Sequence, residues 1–148
     1  MKVLYIESKK KNLVTSLSPI SIEQIAALPK TLFLAYSIQY KPLAEQIKKQ
    51  LESSKIEITG FMQVLGCTNL KSNFSILLIG SGRFHALNIA RKTKQETYIY
   101  NNSISKITKE EITAFEKQVA GKFSKLLHAQ EVGILVSTKP GQNHLDKA

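Results

Sequence analysis

Short apolar segments alternate along this chain with segments of helix length, and this alternation restricts the fold more than any other feature. The apolar segments are rich in β-branched and aromatic residues, which favour strands; they comprise residues 2–7, 31–37, 56–65, 75–79, 97–100 and 132–136. Strands that alternate with helices predict a mostly parallel sheet covered on both faces. We therefore expect a three-layer α/β/α fold, classed as α/β.

Helix boundaries are indicated by capping residues and prolines. Ser21 with Gln24 and Thr108 with Glu111 have the spacing of capping boxes, and Pro42 suits the first turn of a helix. Apolar residues recur at helical spacing after each start, and a further helix runs through residues 84–89. The inward face of the Pro42 helix is predicted at Leu43, Ile47 and Leu51; the long helix after Thr108 carries an apolar stripe of Ile112, Phe115, Val119, Phe123, Leu126 and Leu127.

Length and composition favour a single globular domain. The chain has 148 residues, of which 43% are apolar and 22% charged. We expect one α/β domain over residues 1–137 and a polar tail over 138–148, and a polar loop over 101–105. No segment is long and apolar enough for a membrane helix, and a single cysteine cannot form an internal disulfide, so a cytoplasmic location is expected.

The net charge of +10 raises the question of a nucleic-acid partner. Only Arg83 and Arg91 among the 21 basic residues are arginine, and the lysines are dispersed along the chain. Because arginine is the residue that reads bases and grips phosphates in a fork, this pattern favours general solubility, and no direct nucleic acid is expected. A basic α/β scaffold or binding module for an acidic protein or RNA stays open as an alternative.

Cys67 lies at the carboxyl end of a predicted strand, where ligands bind in parallel sheets. A free cysteine is either a small buried apolar residue or a soft-metal ligand, and the residues alone do not decide between the two. No second cysteine exists for a Cys-x-x-Cys pair, and the three histidines, His85, His128 and His144, lack the spacing of a zinc site.

A glycine turn, Gly80-Ser81-Gly82, follows the most apolar predicted strand and precedes a helix that begins with Arg83-Phe84-His85. His85 stands where a dinucleotide fingerprint requires its third glycine, so a Rossmann cofactor site is poorly supported. Free amides at the helix start and the fork of Arg83 suit a carboxylate or a phosphate. A plain helix start with a surface arginine is an equal reading, and Phe84 is expected in the core.

The residues and the order of four segments resemble those of the diphthamide synthase family. They are Leu65-Gly66-Cys67-Thr68, Gly80-Ser81-Gly82-Arg83-Phe84-His85, Tyr98-Ile99-Tyr100-Asn101 and Ser105-Lys106-Ile107-Thr108, with weaker similarity at 132–142. The resemblance covers nearly the whole chain and implies that it corresponds to the central one of three similar α/β domains.

The resemblance implies radical chemistry that starts diphthamide formation on a histidine of elongation factor 2. The family's dimeric enzymes hold a 4Fe-4S cluster with three cysteines, one from each domain, and transfer a 3-amino-3-carboxypropyl group from S-adenosylmethionine. Cys67 matches the central-domain ligand, and Gly80, Ser81, Gly82, Arg83 and His85 would bind the cofactor. The implied partners are elongation factor 2 and either a second copy or other diphthamide synthase subunits.

This sequence departs from the family pattern at two carboxylates and at two cysteines. Ser81 and Asn101 stand where aspartates are usual, and the cysteines of the first and third domains have no counterpart. We therefore expect the chain to be inactive as an enzyme without other cysteine-bearing domains or subunits. A split subunit, a degenerate scaffold and a truncated fragment all fit.

Overall fold

Five strands form one sheet in the computed structural model, which describes residues 20–65 and 68–133. The strands are β1 (Thr31–Tyr36), β2 (Glu57–Gln63), β3 (Ser75–Ile79), β4 (Thr97–Asn101) and β5 (Ser103–Lys106). Their order across the sheet is β2-β1-β3-β4-β5. β1 pairs in parallel with β2 and β3, β3 pairs in parallel with β4, and β5 is antiparallel to β4. The mostly parallel sheet predicted from the alternation is confirmed.

Four α-helices and one 3₁₀ turn connect or follow these strands within the described residues. They are α1 (Ile22–Ala26), the 3₁₀ turn Ile38–Tyr40, α2 (Lys41–Ser53), α3 (Arg83–Thr93) and α4 (Lys109–Leu127). α2 links β1 to β2 and α3 links β3 to β4, as parallel neighbours require a crossover. None of the described helices is both long and apolar enough to cross a membrane.

Contacts divide the chain into two units. One unit is Glu7–Glu116, which contains the sheet, and the other comprises Met1–Ile6 and Lys117–Ala148. α4 therefore begins in the first unit and ends in the second. The expected single domain over 1–137 and the tail over 138–148 stay predictions.

The sheet buries apolar side chains on both of its faces. On one face the strands pack against α1 and α2 through Ile25, Leu43, Ile47 and Leu51. On the other face they pack against α3 through Ala86, Ile89 and Ala90, with Ile112 of α4 at the margin. β3 is buried on both faces from Ile76 to Ile79, which explains its continuous apolar run.

Both predicted capping boxes begin a helix. The Ser21 hydroxyl accepts the amide of Gln24, at 3.3 Å. At the start of α4 the exchange is reciprocal: the Thr108 hydroxyl accepts the Glu111 amide at 3.2 Å, and the Glu111 carboxylate accepts the Thr108 amide at 2.9 Å. The second box is complete because its acidic residue reaches back to the cap.

The prediction of a loop over residues 101–105 is wrong, because β5 occupies most of this segment. Asn102 takes a left-handed conformation, with φ of 66°, and turns the chain so that Asn101 pairs with Ser103. Asparagine tolerates this conformation better than most residues, which permits the tight hairpin. The polar composition of the segment reflects an edge strand instead of a loop.

The ends of the chain differ from expectation or lie outside the described residues. Val132 and Gly133 are not in a strand, contrary to the prediction for 132–136. The strand predicted over 2–7, the remainder of 132–136 and the tail lie outside the described residues. The long helix after Thr108 is confirmed, but its stripe is not buried: Phe123 is 58% and Leu127 is 66% exposed.

Candidate functional site

The connections that follow β1 and β3 diverge at the carboxyl edge of the sheet, and we call the place between these two strand ends the crevice. The chain leaves β1 toward α2, which covers one face, and leaves β3 toward α3, which covers the other. Ligands of open parallel sheets bind where consecutive connections diverge in this way. The strand order therefore points to the ends of β1 and β3, where Ser37 and Gly80 lie side by side.

Gly80 is required by the close approach of these two strand ends. A Cβ atom at position 80 would lie 2.8 Å from the Ser37 hydroxyl oxygen, which is too close for a real side chain. The backbones themselves are tied, since the Ser37 amide donates to the Ile79 carbonyl at 3.2 Å and the Gly80 amide donates to the Tyr100 carbonyl at 3.2 Å. The first glycine of the turn thus keeps the crevice narrow and its backbone ordered.

The second glycine caps α3. Gly82 is the N-cap residue and provides no side-chain acceptor for the amides of the first turn. The ring of His85 lies over it, because a Cβ atom at position 82 would be 3.3 Å from the His85 Nδ1 atom. The first turn of α3 therefore presents backbone N–H groups beside an imidazole, while Ser81 is exposed at the tip of the turn.

Arg83 makes the bidentate fork that its sequence position predicts, but its partner belongs to the protein. Its Nε and Nη2 atoms donate to the two carboxylate oxygens of Glu111 at 2.9 and 2.8 Å, and its Nη1 atom donates to the Ser105 hydroxyl at 3.1 Å. These bonds engage three of the five guanidinium N–H groups. Arg83 is thus held in place on an exposed surface, and two of its N–H groups make no hydrogen bond within residues 20–65 and 68–133.

Glu111 connects this arginine to the start of α4. Its carboxylate accepts both the Thr108 amide and the Arg83 guanidinium. The hydrogen bond from the Thr108 amide is the main cause that holds the pKa of Glu111 below its ordinary value; burial opposes it, and Arg83 lowers the pKa further. The charged form is therefore favoured, and one carboxylate fixes both the helix start and the arginine.

Hydrogen bonds join Leu65 to Thr68, the two described residues on either side of positions 66 and 67. The Leu65 amide donates to the Thr68 hydroxyl at 2.7 Å, and the Thr68 amide donates to the Leu65 carbonyl at 3.0 Å. Val64, just before, is fixed to β1 through its amide, which donates to the Tyr36 carbonyl at 2.9 Å. The chain just after β2 is therefore hydrogen-bonded to the end of β1, as the end of β3 is through the Ser37 amide.

Cys67 itself, with Gly66, lies outside the described residues. Among residues 20–65 and 68–133, no group of three or more histidine, cysteine, aspartate or glutamate side chains is arranged to hold a metal ion. The structure brings together Gly80, Gly82, Arg83 and His85 at the end of β3. The use of Cys67 as a ligand stays a prediction.

Phe84 is not in the core, contrary to the prediction. It is 56% exposed and contacts His85 and Phe115 edge to face, each with 5.8 Å between ring centroids. Helical spacing could not reveal this, because position 84 lies in the first turn of α3, beyond the end of the sheet. The exposed ring leaves an apolar surface directly beside the glycine turn.

Three contributors to this edge were missed from the sequence: Ser37, Ser105 and Glu111. Glu111 was recognised as a helix cap, but nothing local indicated that it also binds Arg83, 28 residues earlier. Ser37 becomes relevant only because β3 pairs with β1. The single available signal was the glycine at position 80, which indicates a close approach without naming the neighbour.

Comparison with known proteins relates this fold and edge to one family. The family model described as putative diphthamide synthesis protein matches residues 1–148. The chain is 36% identical over 127 residues to 2-(3-amino-3-carboxypropyl)histidine synthase of Methanocaldococcus jannaschii, covering 82% of this chain and 34% of that protein. It is 27% identical over 162 residues to the synthase of the same name from Pyrococcus horikoshii, covering 99% of this chain and 44% of that protein.

Solved structures agree. The chain is similar to the crystal structure of Dph2 from Pyrococcus horikoshii with a 4Fe-4S cluster, with a TM-score of 0.68 and 27% identity, over 85% of this chain and 41% of that one. A second crystal structure of that Dph2 gives a TM-score of 0.67 at 26% identity, with the same coverage.

This α/β chain, with its crevice at the carboxyl edge, belongs to the diphthamide synthesis family. It spans less than half the length of the two curated relatives. The family identified from the four sequence segments is therefore confirmed, and both curated relatives are named 2-(3-amino-3-carboxypropyl)histidine synthase.

Proposed function

We propose that this chain is a component or fragment of diphthamide synthase that supplies one of three cysteines to a shared 4Fe-4S cluster. The proposal is carried by one observation: in the sequence the cysteine-bearing segment follows β2 and the glycine turn follows β3, and these two strands flank β1 in the sheet. Parallel strands end at the same edge, so a ligand there can meet both segments.

The donor set of this chain does not by itself fit the cluster. The chain contains one cysteine, whereas clusters of this type are held by several thiolates. The structural relative from Pyrococcus horikoshii carries a 4Fe-4S cluster in a chain more than twice as long. Cys67 would therefore act together with cysteines of other domains or subunits, either in a homodimer or in a heteromer.

S-adenosylmethionine is the proposed second ligand at the glycine turn. Its carboxylate suits the two free N–H donors of Arg83 and the amides at the start of α3, and His85 and Gly82 line the same place. Ser81 is exposed there and replaces the usual aspartate with a neutral hydroxyl.

The assembled enzyme would transfer a 3-amino-3-carboxypropyl group to a histidine of elongation factor 2, with the cluster and S-adenosylmethionine as the source of that group. This substrate and the radical nature of the step follow from the family resemblance. The basic scaffold or binding module is not favoured by the comparisons, since the relatives that match are synthases.

Anaerobic reconstitution with iron and sulfide tests the cluster. We expect this chain alone to hold no stable cluster, and the chain mixed with cysteine-bearing candidate subunits to show the sulfide-to-iron charge-transfer absorption. Cys67→Ala should remove that absorption and leave the circular dichroism spectrum unchanged. An absorption that is equally strong in Cys67→Ala would refute the proposal.

Thr68 offers a matched pair of variants for the same assay. Thr68→Val removes the hydroxyl that accepts the Leu65 amide, whereas Thr68→Ser keeps it. If the tie beside Cys67 matters for ligation, Thr68→Val lowers the iron content of the mixture and Thr68→Ser does not. Equal iron content in the two variants would show that the hydroxyl has no part in ligation.

Group transfer tests the substrate. Carboxyl-labelled S-adenosylmethionine is incubated with reductant, elongation factor 2 and the reconstituted mixture. We expect label on the factor that depends on Cys67 and is reduced in Arg83→Gln. Label that appears without this chain would remove it from the reaction.

A further inference from the structure

A cavity of about 380 Å³ opens at the amino edge of the sheet, between the end of α3, the start of β4, the end of β5 and the start of α4. Its lining includes the apolar side chains of Ala90, Ile107 and Ile112 and the lysines Lys94, Lys106 and Lys109. Its volume falls within the range of small-molecule sites. All of its residues belong to the unit that contains the sheet.

This cavity is separate from the carboxyl edge. Thr97 begins β4 and Tyr100 lies beside Gly80 near its other end, so about 10 Å of strand separates the two places. No residue of the glycine turn lines the cavity. One connection links the two places, since the amide of Thr108, which lines the cavity, donates to Glu111, and Glu111 binds Arg83.

Three apolar side chains form part of the cavity wall. Ala90 and Ile107 belong to the core packed beneath α3, and Ile112 lies at the margin of the same cluster. Thr97 is 1% exposed, and its hydroxyl donates a hydrogen bond to the Gln95 carbonyl at 3.1 Å, so its side chain adds no free polar group to the wall. An apolar molecule placed here would lose water contact without leaving a buried polar group unpaired.

The rim of the cavity carries three lysines. Lys94 lies 3.4 Å from Glu116 and Lys106 pairs with Glu96, and these side chains are between 44% and 73% exposed. Exposed ion pairs are weak, so a ligand anion can compete for either lysine at little cost. Lys109 makes no ion pair with any residue of 20–65 or 68–133.

We propose that this cavity binds a small amphipathic carboxylate, with its apolar body against Ala90, Ile107 and Ile112 and its carboxylate between Lys94 and Lys109. A neutral apolar ligand would leave the lysines unused, and a small hydrophilic anion would leave the walls uncovered. The inference does not rest on the proposed function.

Three probes of matched chemistry test the proposal on the full chain. Octanoate has both a long apolar chain and a carboxylate, octan-1-ol has the apolar chain without the negative charge, and acetate has the carboxylate without the long chain. Amide chemical shifts in ¹H–¹⁵N NMR spectra report both affinity and location. We expect octanoate to bind about tenfold more tightly than octanol, because two lysines contribute, and acetate not to bind. The shifts should concentrate at residues 90–97 and 106–112.

Charge variants locate the carboxylate. Lys94→Gln and Lys109→Gln should each weaken octanoate binding about threefold and leave octanol binding unchanged. Lys41→Gln, at the exposed start of α2, removes a lysine elsewhere and should change neither. Because all three side chains are on the surface, folding is expected to be retained in each variant.

Three results would overturn the proposal. Equal affinities for octanoate and octanol would show that the lysines play no part. Shifts concentrated on the exposed stripe of residues 119–127 would show that the ligand binds that helix. An absence of shifts with all three probes would show that the cavity takes no ligand of this class.

Discussion

The carboxyl and amino edges of the sheet differ in the chemical groups that form them. At the carboxyl edge, backbone groups and one missing side chain form the crevice: Gly80 lies against Ser37, and α3 begins at Gly82, an N-cap residue without a side-chain hydrogen bond. At the amino edge, side chains create the cavity, with ion pairs above an apolar wall. A substitution at the carboxyl edge should therefore act through steric strain, whereas one at the amino edge should act through weaker polar contacts.

The largest effect is expected for Gly80→Ala. The added methyl group would lie 2.8 Å from the Ser37 hydroxyl oxygen, so the Ser37 side chain must rotate away or the ends of β1 and β3 must move apart. We expect a loss of about 2 kcal/mol in the free energy of unfolding, measured by urea denaturation. Adding Ser37→Ala removes the clashing oxygen and should restore most of this loss.

Gly121→Ala is the matched control for that substitution. Nothing lies within 4 Å of a Cβ atom at this position in α4, so alanine should stabilise the protein by about 0.8 kcal/mol through helix propensity. If both glycine substitutions had the same sign, close packing at the carboxyl edge would not be the cause.

At the amino edge the largest effect is expected for Thr97→Val. The substitution keeps the shape of a fully buried side chain but removes its hydrogen bond to the Gln95 carbonyl. A loss of about 1 kcal/mol in unfolding free energy is expected. A loss greater than that of Gly80→Ala would reverse the order of the two edges.

Glu111→Gln should change how stability depends on pH. The folded-state pKa of Glu111 lies below its ordinary value because of the Thr108 amide and Arg83. Its contribution is therefore present above the unfolded-state pKa and is lost as the pH falls through the folded-state pKa. Between about pH 6 and about pH 3 the wild type should lose roughly 0.5 kcal/mol more than the variant, measured by thermal denaturation. If the stability of the wild type and of the variant fell equally as the pH was lowered, Glu111 would not have this role.

The smallest effect is expected for Glu96→Gln at the amino edge. The hydrogen bond from Lys106 lowers the pKa of Glu96, but both side chains are about half exposed and solvent screens the pair. We expect a change of less than about 0.5 kcal/mol that disappears at high salt. A larger effect that persists in salt would indicate that the amino edge is less hydrated than its exposure suggests.

Elements with a strong local signal were predicted closely. The strand at residues 75–79 is the predicted one, residue for residue, because a continuous apolar run bounded by polar residues has little alternative. The start of α4 was predicted because capping depends on residues only three positions apart. The hairpin at Asn102 was missed, since its strand has the composition of a loop.

The candidate site was predicted in part for the same reason. Gly80, Gly82, Arg83 and His85 were identified because they are consecutive in the chain and follow a strand. The partner of Arg83 was not predicted, because Glu111 reaches it only when α4 packs beside the start of α3. Likewise, the exposure of Phe84 depends on where the sheet ends beneath α3.

The sequence by itself determined the alternation of strands and helices, the helix starts and the family, because each depends on residues close together or on their order. Only the tertiary structure decided that β1 lies between β2 and β3, that Ser37 meets Gly80 and that Glu111 holds Arg83. These contacts join residues that are 26 or more positions apart, and their free energy comes from packing the whole sheet, which no local pattern records.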